Sequence, residues 1–207
     1  TENLSAHAGY GEGISQPSFV DLYGFFPGSF VGNPALRPER SQGYEAGLSW
    51  SEQMFSLGVT AFSNRLTNEI VSVFLPSFLS STGNADGKSR RRGVELTGEV
   101  RPSEGLRISA NYTYLDAQQQ RVTGTAQLRE QRRPKGCANL FADYETGPLT
   151  FGASLAYVGK REDTDFDLFP SPVVTLGSYV LAGARVAYAI TPNIEAFGRI
   201  ENAFDDK

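Results

Sequence analysis

The sequence repeats one unit, in which apolar and polar side chains alternate over about ten residues before a connection follows. Between Leu106 and Tyr114, every second residue is apolar, and the residues between them are Arg107, Ser109, Asn111 and Thr113. A period of two places the apolar side chains on one face of a β-strand, whereas a helix needs a period of 3.6. The repeat therefore predicts strands with one apolar and one polar face.

The connections between these runs alternate between short and long. Long connections are predicted at about 12–40, 66–87, 117–132 and 160–174, the second with a short strand at Ile70 to Phe74. Short turns on one rim and long loops on the other are typical of outer-membrane β-barrels, whose strands of about ten residues span the bilayer at a tilt. We count about nine strands of this kind.

A soluble β-sandwich or barrel is the alternative, because its strands also alternate. A Greek key does not predict the regular exchange of short and long connections, and the long ones exceed what a compact domain uses. We therefore predict an all-β fold, specifically a fragment of an antiparallel transmembrane β-barrel. An odd number of strands does not close a typical bacterial barrel, so we expect further strands outside these 207 residues.

Composition excludes several classes of function. The net charge of −4 argues against a nucleic-acid partner, and a lone cysteine, Cys137, allows no internal disulfide. With His7 as the one histidine and no visible nucleophile–base pair, we predict no enzyme and no cofactor. The chain begins at Thr1 without a signal segment, which we interpret as part of a longer exported protein.

Three segments resemble the barrel of TonB-dependent outer-membrane receptors. Residues 33–47, NPALRPERSQGYEAG, resemble the family motif NPxLxPExSxxYExG. Residues 83–96 and 112–117 look like the next strand pair of the family, and residues 199–205, RIENAFD, resemble its RxxNLFD run with Ala203 in place of Leu. Because these segments appear in the family's order, the resemblance covers essentially the whole chain.

The resemblance implies that residues 1–207 form the C-terminal portion of a barrel of about 22 strands, with the plug domain and the final strand outside them. It implies an outer-membrane receptor of a Gram-negative bacterium, surrounded by lipid and lipopolysaccharide, that imports a scarce large ligand with energy from TonB–ExbB–ExbD. Residues 159–166 and 174–181 look most like the cobalamin transporter branch. We therefore expect cobalamin first and a ferric siderophore second, with a passive porin or barrel adhesin as the alternative function.

Aromatic and acidic residues of the long connections are the expected ligand contacts. They are Tyr23, Phe25, Phe26, Phe30, Asp163, Asp165 and Phe166. A large amphipathic ligand needs both apolar area and hydrogen-bond acceptors, which such loops offer. Packing of each loop on itself is an equal alternative for the aromatic residues. We predict no metal site, because the acidic residues lack the glycine of an EF-hand loop.

Two arginine clusters fall at the same rim as the long connections. They are Arg90, Arg91 and Arg92 in the first cluster and Arg132 and Arg133 in the second. Guanidinium groups bind phosphate well, so we predict contacts with lipopolysaccharide phosphates. A solvated basic rim is the alternative interpretation.

Overall fold

The computed structural model describes residues 3–24, 26–120 and 126–205, which form fifteen strands and one short helix. In chain order, the elements are β1 (Leu4–Ser15), α1 (Phe19–Tyr23), β2 (Phe30–Val31), β3 (Glu39–Ser51), β4 (Phe55–Thr67), β5 (Ile70–Phe74), β6 (Ser80–Asn84), β7 (Lys88–Ser103), β8 (Leu106–Gln119), β9 (Leu128–Arg129), β10 (Gly136–Thr146), β11 (Leu149–Val158), β12 (Arg161–Thr164), β13 (Val173–Leu176), β14 (Tyr179–Thr191) and β15 (Ile194–Ile200).

Nine long strands form one antiparallel sheet in the order β1-β3-β4-β7-β8-β10-β11-β14-β15, and the short β9 pairs with β8. Each long strand pairs with the next long strand of the chain, so the sheet is a meander. The four short turns, at 52–54, 104–105, 147–148 and 192–193, lie at what we call the short-turn end. The other connections lie at the opposite, long-loop end. The prediction of nine antiparallel strands is confirmed.

The pairing registers place apolar residues of neighbouring strands opposite one another, and polar residues likewise, across the whole sheet. One row on what we call the apolar face is Ala6, Leu48, Val59, Leu96 and Tyr112. The adjacent row, on the polar face, is His7, Gly47, Thr60, Glu95 and Thr113. A shift of one residue in any strand would reverse its faces, so the common register fixes both faces at once.

The apolar face is not covered by any other described part of the chain. Leu48 and Leu57, for example, are 51% and 54% exposed. Among the described residues, the buried apolar side chains are few and mostly small: Leu36, Ala85, Ala117, Ala182 and Ala187. A soluble sandwich would bury this face against a second sheet, whereas a strand in a bilayer exposes it to hydrocarbon.

Aromatic pairs lie at both margins of the apolar face. Trp50 and Phe55 meet edge to face at the short-turn end, with ring centroids 5.1 Å apart. Toward the long-loop end, the ring centroids of Tyr10 and Tyr44 are 4.8 Å apart. Aromatic rings at two levels match the girdles that flank the apolar band of an outer-membrane barrel.

The first long connection is shorter and more ordered than predicted, because β1 continues to Ser15 and β3 begins at Glu39. It also contains α1, which Ser18 caps by accepting a hydrogen bond from the Asp21 N–H at 3.1 Å while the Asp21 carboxylate accepts from the Ser18 N–H. This capping box starts a short helix. Within the described residues, no helix is long and apolar enough to cross a membrane.

Short strands build two small sheets at the long-loop end. The predicted strand at Ile70 to Phe74 is confirmed as β5, which pairs antiparallel with β6, and β2 joins β6 in parallel. Residues 174–181, which resemble the cobalamin branch, do not form one strand, because β13 pairs back on β12 and β14 begins only at Tyr179. Gly177 and Ser178 lie outside both strands.

Candidate ligand-binding surface at the long-loop end

Residues 16–38 and 68–87, where described, form what we call the first loop unit. The Asn33 side chain donates to the Thr82 carbonyl at 3.0 Å. The Asn84 side chain accepts from the Arg37 N–H at 2.7 Å and donates to the Arg37 carbonyl at 2.8 Å. A pair of side chain–backbone hydrogen bonds in opposite directions fixes the two segments in one register.

The NPxLxPE part of the family motif acts as the base of this unit. Leu36 is buried, and the Glu39 carboxylate accepts a hydrogen bond from the Ile70 N–H at 2.6 Å. Ala35 N–H donates to the Asn33 side chain at 3.0 Å. The motif residues therefore join the first connection to β5 and β6. The spacing of Asn33, Leu36 and Glu39 lets one segment place all three of these contacts.

Residues 126–135 and 159–178 form what we call the second loop unit. The Arg132 N–H donates to the Glu162 carbonyl at 2.7 Å, and Arg132 Nε donates to Asp163 Oδ1 at 2.9 Å. The Thr164 hydroxyl donates to Gln131 Oε1 at 3.0 Å. The third connection is thus held against β12 by a backbone bond and two side-chain bonds.

The Asp163 carboxylate is occupied by these contacts. The hydrogen bond from Arg132, and then that from the Thr164 N–H, hold the pKa of the Asp163 carboxyl below its ordinary value. Asp165 also accepts a local hydrogen bond, from the Asp167 N–H at 3.0 Å. Within the described residues, no three side chains of His, Cys, Asp or Glu converge as metal ligands would.

We expect the ion pair between Arg132 and Asp163 to depend on pH in one direction only. Because the pKa of Asp163 is lowered, the pair is complete above the ordinary aspartate value of about 4 and is lost as pH falls through the lowered pKa. Carboxyl-carbon NMR titration, assigned with Asp163→Asn, should show a higher pKa in Arg132→Gln and an unchanged one in the control Arg129→Gln. An Asp163 pKa that is the same in Arg132→Gln as in the parent would contradict the pairing.

Glu130 joins the second loop unit to the sheet and to the first loop unit. It is 7% exposed and accepts a bidentate bond from Arg91, with Nε 3.0 Å from both carboxylate oxygens and Nη2 2.8 Å from Oε1. Arg133 Nε lies 3.4 Å from Glu130 Oε2. Glu69, bonded to the Ser89 hydroxyl, has its Oε1 3.9 Å from Arg91 Nη2.

The structure separates the three arginines that the sequence grouped together. Arg90 and Arg92 lie on the apolar-face side, in register with Arg65 and Ser63, and Arg92 bonds Asp116 at 3.0 Å. Arg91 points to the opposite, polar face, because consecutive residues of a strand alternate. Arg91 therefore does not share a face with Arg90 and Arg92, and its partner is Glu130.

The aromatic residues that were predicted to contact the ligand differ in how exposed they are. Tyr23, Phe26 and Phe166 are exposed, whereas Phe30 is half-buried. Phe25 lies outside the described residues. Tyr23 stacks on Phe19 within α1, with ring centroids 6.2 Å apart, so one face of its ring packs within the loop itself.

Other aromatic residues are more exposed than those that the sequence analysis selected. Phe74 and Phe78 flank the turn of the β5–β6 hairpin and are 85% and 96% exposed, and Phe169 beyond β12 is 99% exposed. Phe78 has a φ of 61°, a strained value for a large side chain. The segment Phe-Leu-Pro-Ser-Phe, with a proline between two phenylalanines, could have indicated a turn that displays them.

Below the loops, the polar face carries a groove of about 830 Å³ lined by Gly9, Gly11, Glu45, Phe62, Asn64, Arg91 and Glu95, among others. Its glycines allow neighbouring side chains to lie flat, since a Cβ at Gly43 would overlap Asn64 Oδ1. A Cβ at Gly93 would likewise lie 2.7 Å from the Phe62 ring. Apart from Arg91, which was predicted to contact lipopolysaccharide, none of these residues was among the predicted contacts.

Comparison with known proteins identifies the family. A family model described as TonB dependent receptor-like, beta-barrel matches residues 1–203.

Solved structures share this fold. The siderophore receptor PirA from Acinetobacter baumannii has a TM-score of 0.81 and 18% identity over 99% of this chain and 35% of its own. A mutant ferric enterobactin receptor, PfeA from Pseudomonas aeruginosa, has a TM-score of 0.78 and 20% identity over 99% and 33%. The copper transporter OprC has a TM-score of 0.76 and 17% identity over 98% and 31%. The chain therefore spans about a third of the length of these proteins, and at such identities the likeness shows the fold alone.

Proposed function

We propose, because the chain belongs to the TonB-dependent receptor β-barrel family, that its parent protein is an outer-membrane receptor that binds a scarce large ligand and imports it with TonB energy coupling. The observation that carries this proposal is the nine-stranded, two-faced meander together with the family match over residues 1–203. Residues 1–207 would be the C-terminal portion of the barrel, and the plug domain and TonB–ExbB–ExbD would complete the transport system.

The proposed ligand is cobalamin or a ferric siderophore. The resemblance of residues 159–166 and 174–181 to the cobalamin branch supports the first. The names of PirA and PfeA, which are siderophore receptors with the same fold, support the second. Both ligands are large and rich in polar groups, and the exposed rings of Tyr23, Phe26 and Phe166 offer the apolar area that such a ligand needs.

Arginines at the outer side of the long-loop end are proposed to contact lipopolysaccharide. Arg90 and Arg92 lie on the apolar-face side, where the headgroups of surrounding lipid would meet the sheet. Arg132 and Arg133 are also proposed, since both remain more than half exposed while paired with Asp163 and Glu130.

The proposal is tested on the full-length receptor in cells with and without TonB. We expect labelled cyanocobalamin or a ferric siderophore to bind in both strains and to accumulate only with TonB. Because anchors at an interface contribute more than about 2 kcal/mol, at least one of Tyr23→Ala, Phe26→Ala and Phe166→Ala should weaken binding by about 30-fold or more. The control variants Glu104→Ala and Asn193→Ala, at the short-turn end, should bind like the parent.

Two results would overturn this function. Accumulation that is equal without TonB would identify a passive porin, and surface attachment without any uptake would identify an adhesin. Loop variants that all bind like the parent would leave the transport function intact and refute the aromatic site.

A further inference from the structure

Arg91 lies between carboxylates that belong to different loop units. Its guanidinium donates to Glu130 of the second loop unit through Nε and Nη2. Glu69, of the first loop unit, has its Oε1 3.9 Å from the same Nη2. The Glu39 carboxylate, which accepts from the Ile70 N–H of the first loop unit, also attracts Arg91 by charge. One guanidinium therefore faces carboxylates that hold both loop units.

Glu69 is placed to become the partner of Arg91. It lies at the base of the β5–β6 hairpin, where its carbonyl accepts from the Ala85 N–H at 2.7 Å. Its other carboxylate oxygen accepts from the Ser89 hydroxyl, which keeps the carboxylate beside β7 on the face of Arg91. The gap of 3.9 Å is about 1 Å longer than a hydrogen bond. The two side chains are 29% and 23% exposed, so packing does not prevent that small movement.

Glu130 keeps a second cation if Arg91 leaves it. Arg133, within the same loop unit, has its Nε 3.4 Å from Glu130 Oε2. A buried carboxylate that loses every cation is costly, whereas one that retains a partner loses less. Both arrangements therefore leave each charge paired: Arg91 with Glu130, or Arg91 with Glu69 while Arg133 remains on Glu130.

We propose that Arg91 is a two-position switch between the loop units. In the observed position it binds Glu130 and holds the second loop unit on the sheet. In the other position it binds Glu69 and holds the base of the β5–β6 hairpin more tightly. The two carboxylates compete, because the Nη2 that donates to Glu130 is the nitrogen that lies 3.9 Å from Glu69. Release of one loop unit therefore stabilises the other, whereas a fixed brace would loosen both together. This inference goes beyond the proposed function, because it needs no ligand.

Hydrogen–deuterium exchange of the full-length receptor in outer-membrane vesicles measures the opening of both loop units. In Glu130→Gln, amides of residues 126–135 should exchange about 30-fold faster, while those of the β5–β6 hairpin should exchange up to about 5-fold more slowly, the effect of one partly exposed ion pair. Glu69→Gln keeps an oxygen for the Ser89 hydroxyl and should have the reverse effect, up to about 5-fold in each segment. The control is Glu162→Gln, an acid of the second loop unit without a hydrogen bond or ion pair in the described part of the chain, and it should change neither segment. Unchanged exchange in β11 shows that each variant has a folded barrel.

A double variant separates the switch from direct repulsion between the two carboxylates, which would also slow exchange at residues 126–135 when Glu69 is neutral. The switch acts only through Arg91, so Glu69→Gln should have no effect on residues 126–135 when Arg91→Met is present. Arg91→Gln takes its place if Arg91→Met does not fold. An effect of Glu69→Gln that persists without Arg91 overturns the proposal. Exchange of the β5–β6 hairpin that is faster or unchanged in Glu130→Gln also overturns it and identifies Arg91 as a fixed brace.

Discussion

An arginine in place of Leu155 should lower the free energy of unfolding of the full-length receptor by about 2–4 kcal/mol, the cost of a charge near the bilayer midplane. Leu155 lies in the middle of β11 on the apolar face, between Leu140 and Ala182 of the neighbouring strands. No described residue covers it, and it is 42% exposed. A charged group there must be removed from water without gaining a partner.

The matched control is the adjacent residue, Ser154, which lies on the polar face of the same strand. Ser154→Arg should change the free energy of unfolding much less, because its side chain stays in an aqueous interior. Ile108→Arg and Ala184→Arg repeat the test on β8 and β14. Denaturant titration of refolding into lipid vesicles measures the difference. Equal costs on both faces would refute the membrane-spanning assignment of this sheet.

The strands could be predicted from the sequence because their signal is local. The alternation in each strand and the turn residues between strands are present within a few residues of one another. Pro102, Gly105, Gly147 and Pro192 all fall at the short-turn end or beside it. The register that aligns all nine strands then follows from matching the apolar faces.

The loop units could not be predicted in the same way, because long-range contacts form them. β2 has two residues, Phe30 and Val31, and exists only because β6 pairs with it in parallel. Asn84 reaches Arg37 across 47 positions of sequence. No periodicity within either segment encodes such contacts, and loop segments take their shape from their partners.

Part of the site could have been predicted with the same period-two argument. Arg90, Arg91 and Arg92 lie within a strand, so their side chains must alternate between faces. The three residues therefore could not form one cluster on one face of the sheet. The identity of Glu130 as the partner of Arg91 could not be inferred, because the two residues come together only through the fold of the third connection.

Removing the charge of Glu130 should release the second loop unit from the sheet. The Arg91–Glu130 pair is bidentate and the carboxylate is buried, so breaking it leaves Arg91 with unsatisfied donors. Loss of one partner of a buried pair costs about 3–5 kcal/mol, and we expect about 2 kcal/mol here because Arg91 is partly exposed and keeps Glu69 3.9 Å away. This free energy belongs to local opening rather than to unfolding of the barrel.

Limited proteolysis of the full-length receptor measures that opening. In Glu130→Gln, cleavage near residues 126–135 should become about 30-fold faster, as about 2 kcal/mol predicts when opening is rapid compared with cleavage. Arg91→Met should accelerate cleavage as well, and the double variant should add little to either single change, since both remove the same pair. Glu162→Gln is the matched control, because the described residues give its side chain no hydrogen bond or ion pair, while its backbone carbonyl still accepts from the Arg132 N–H. Additive effects of Glu130→Gln and Arg91→Met would show that the two residues act separately, and Glu130 would not be the junction between the loops and the sheet.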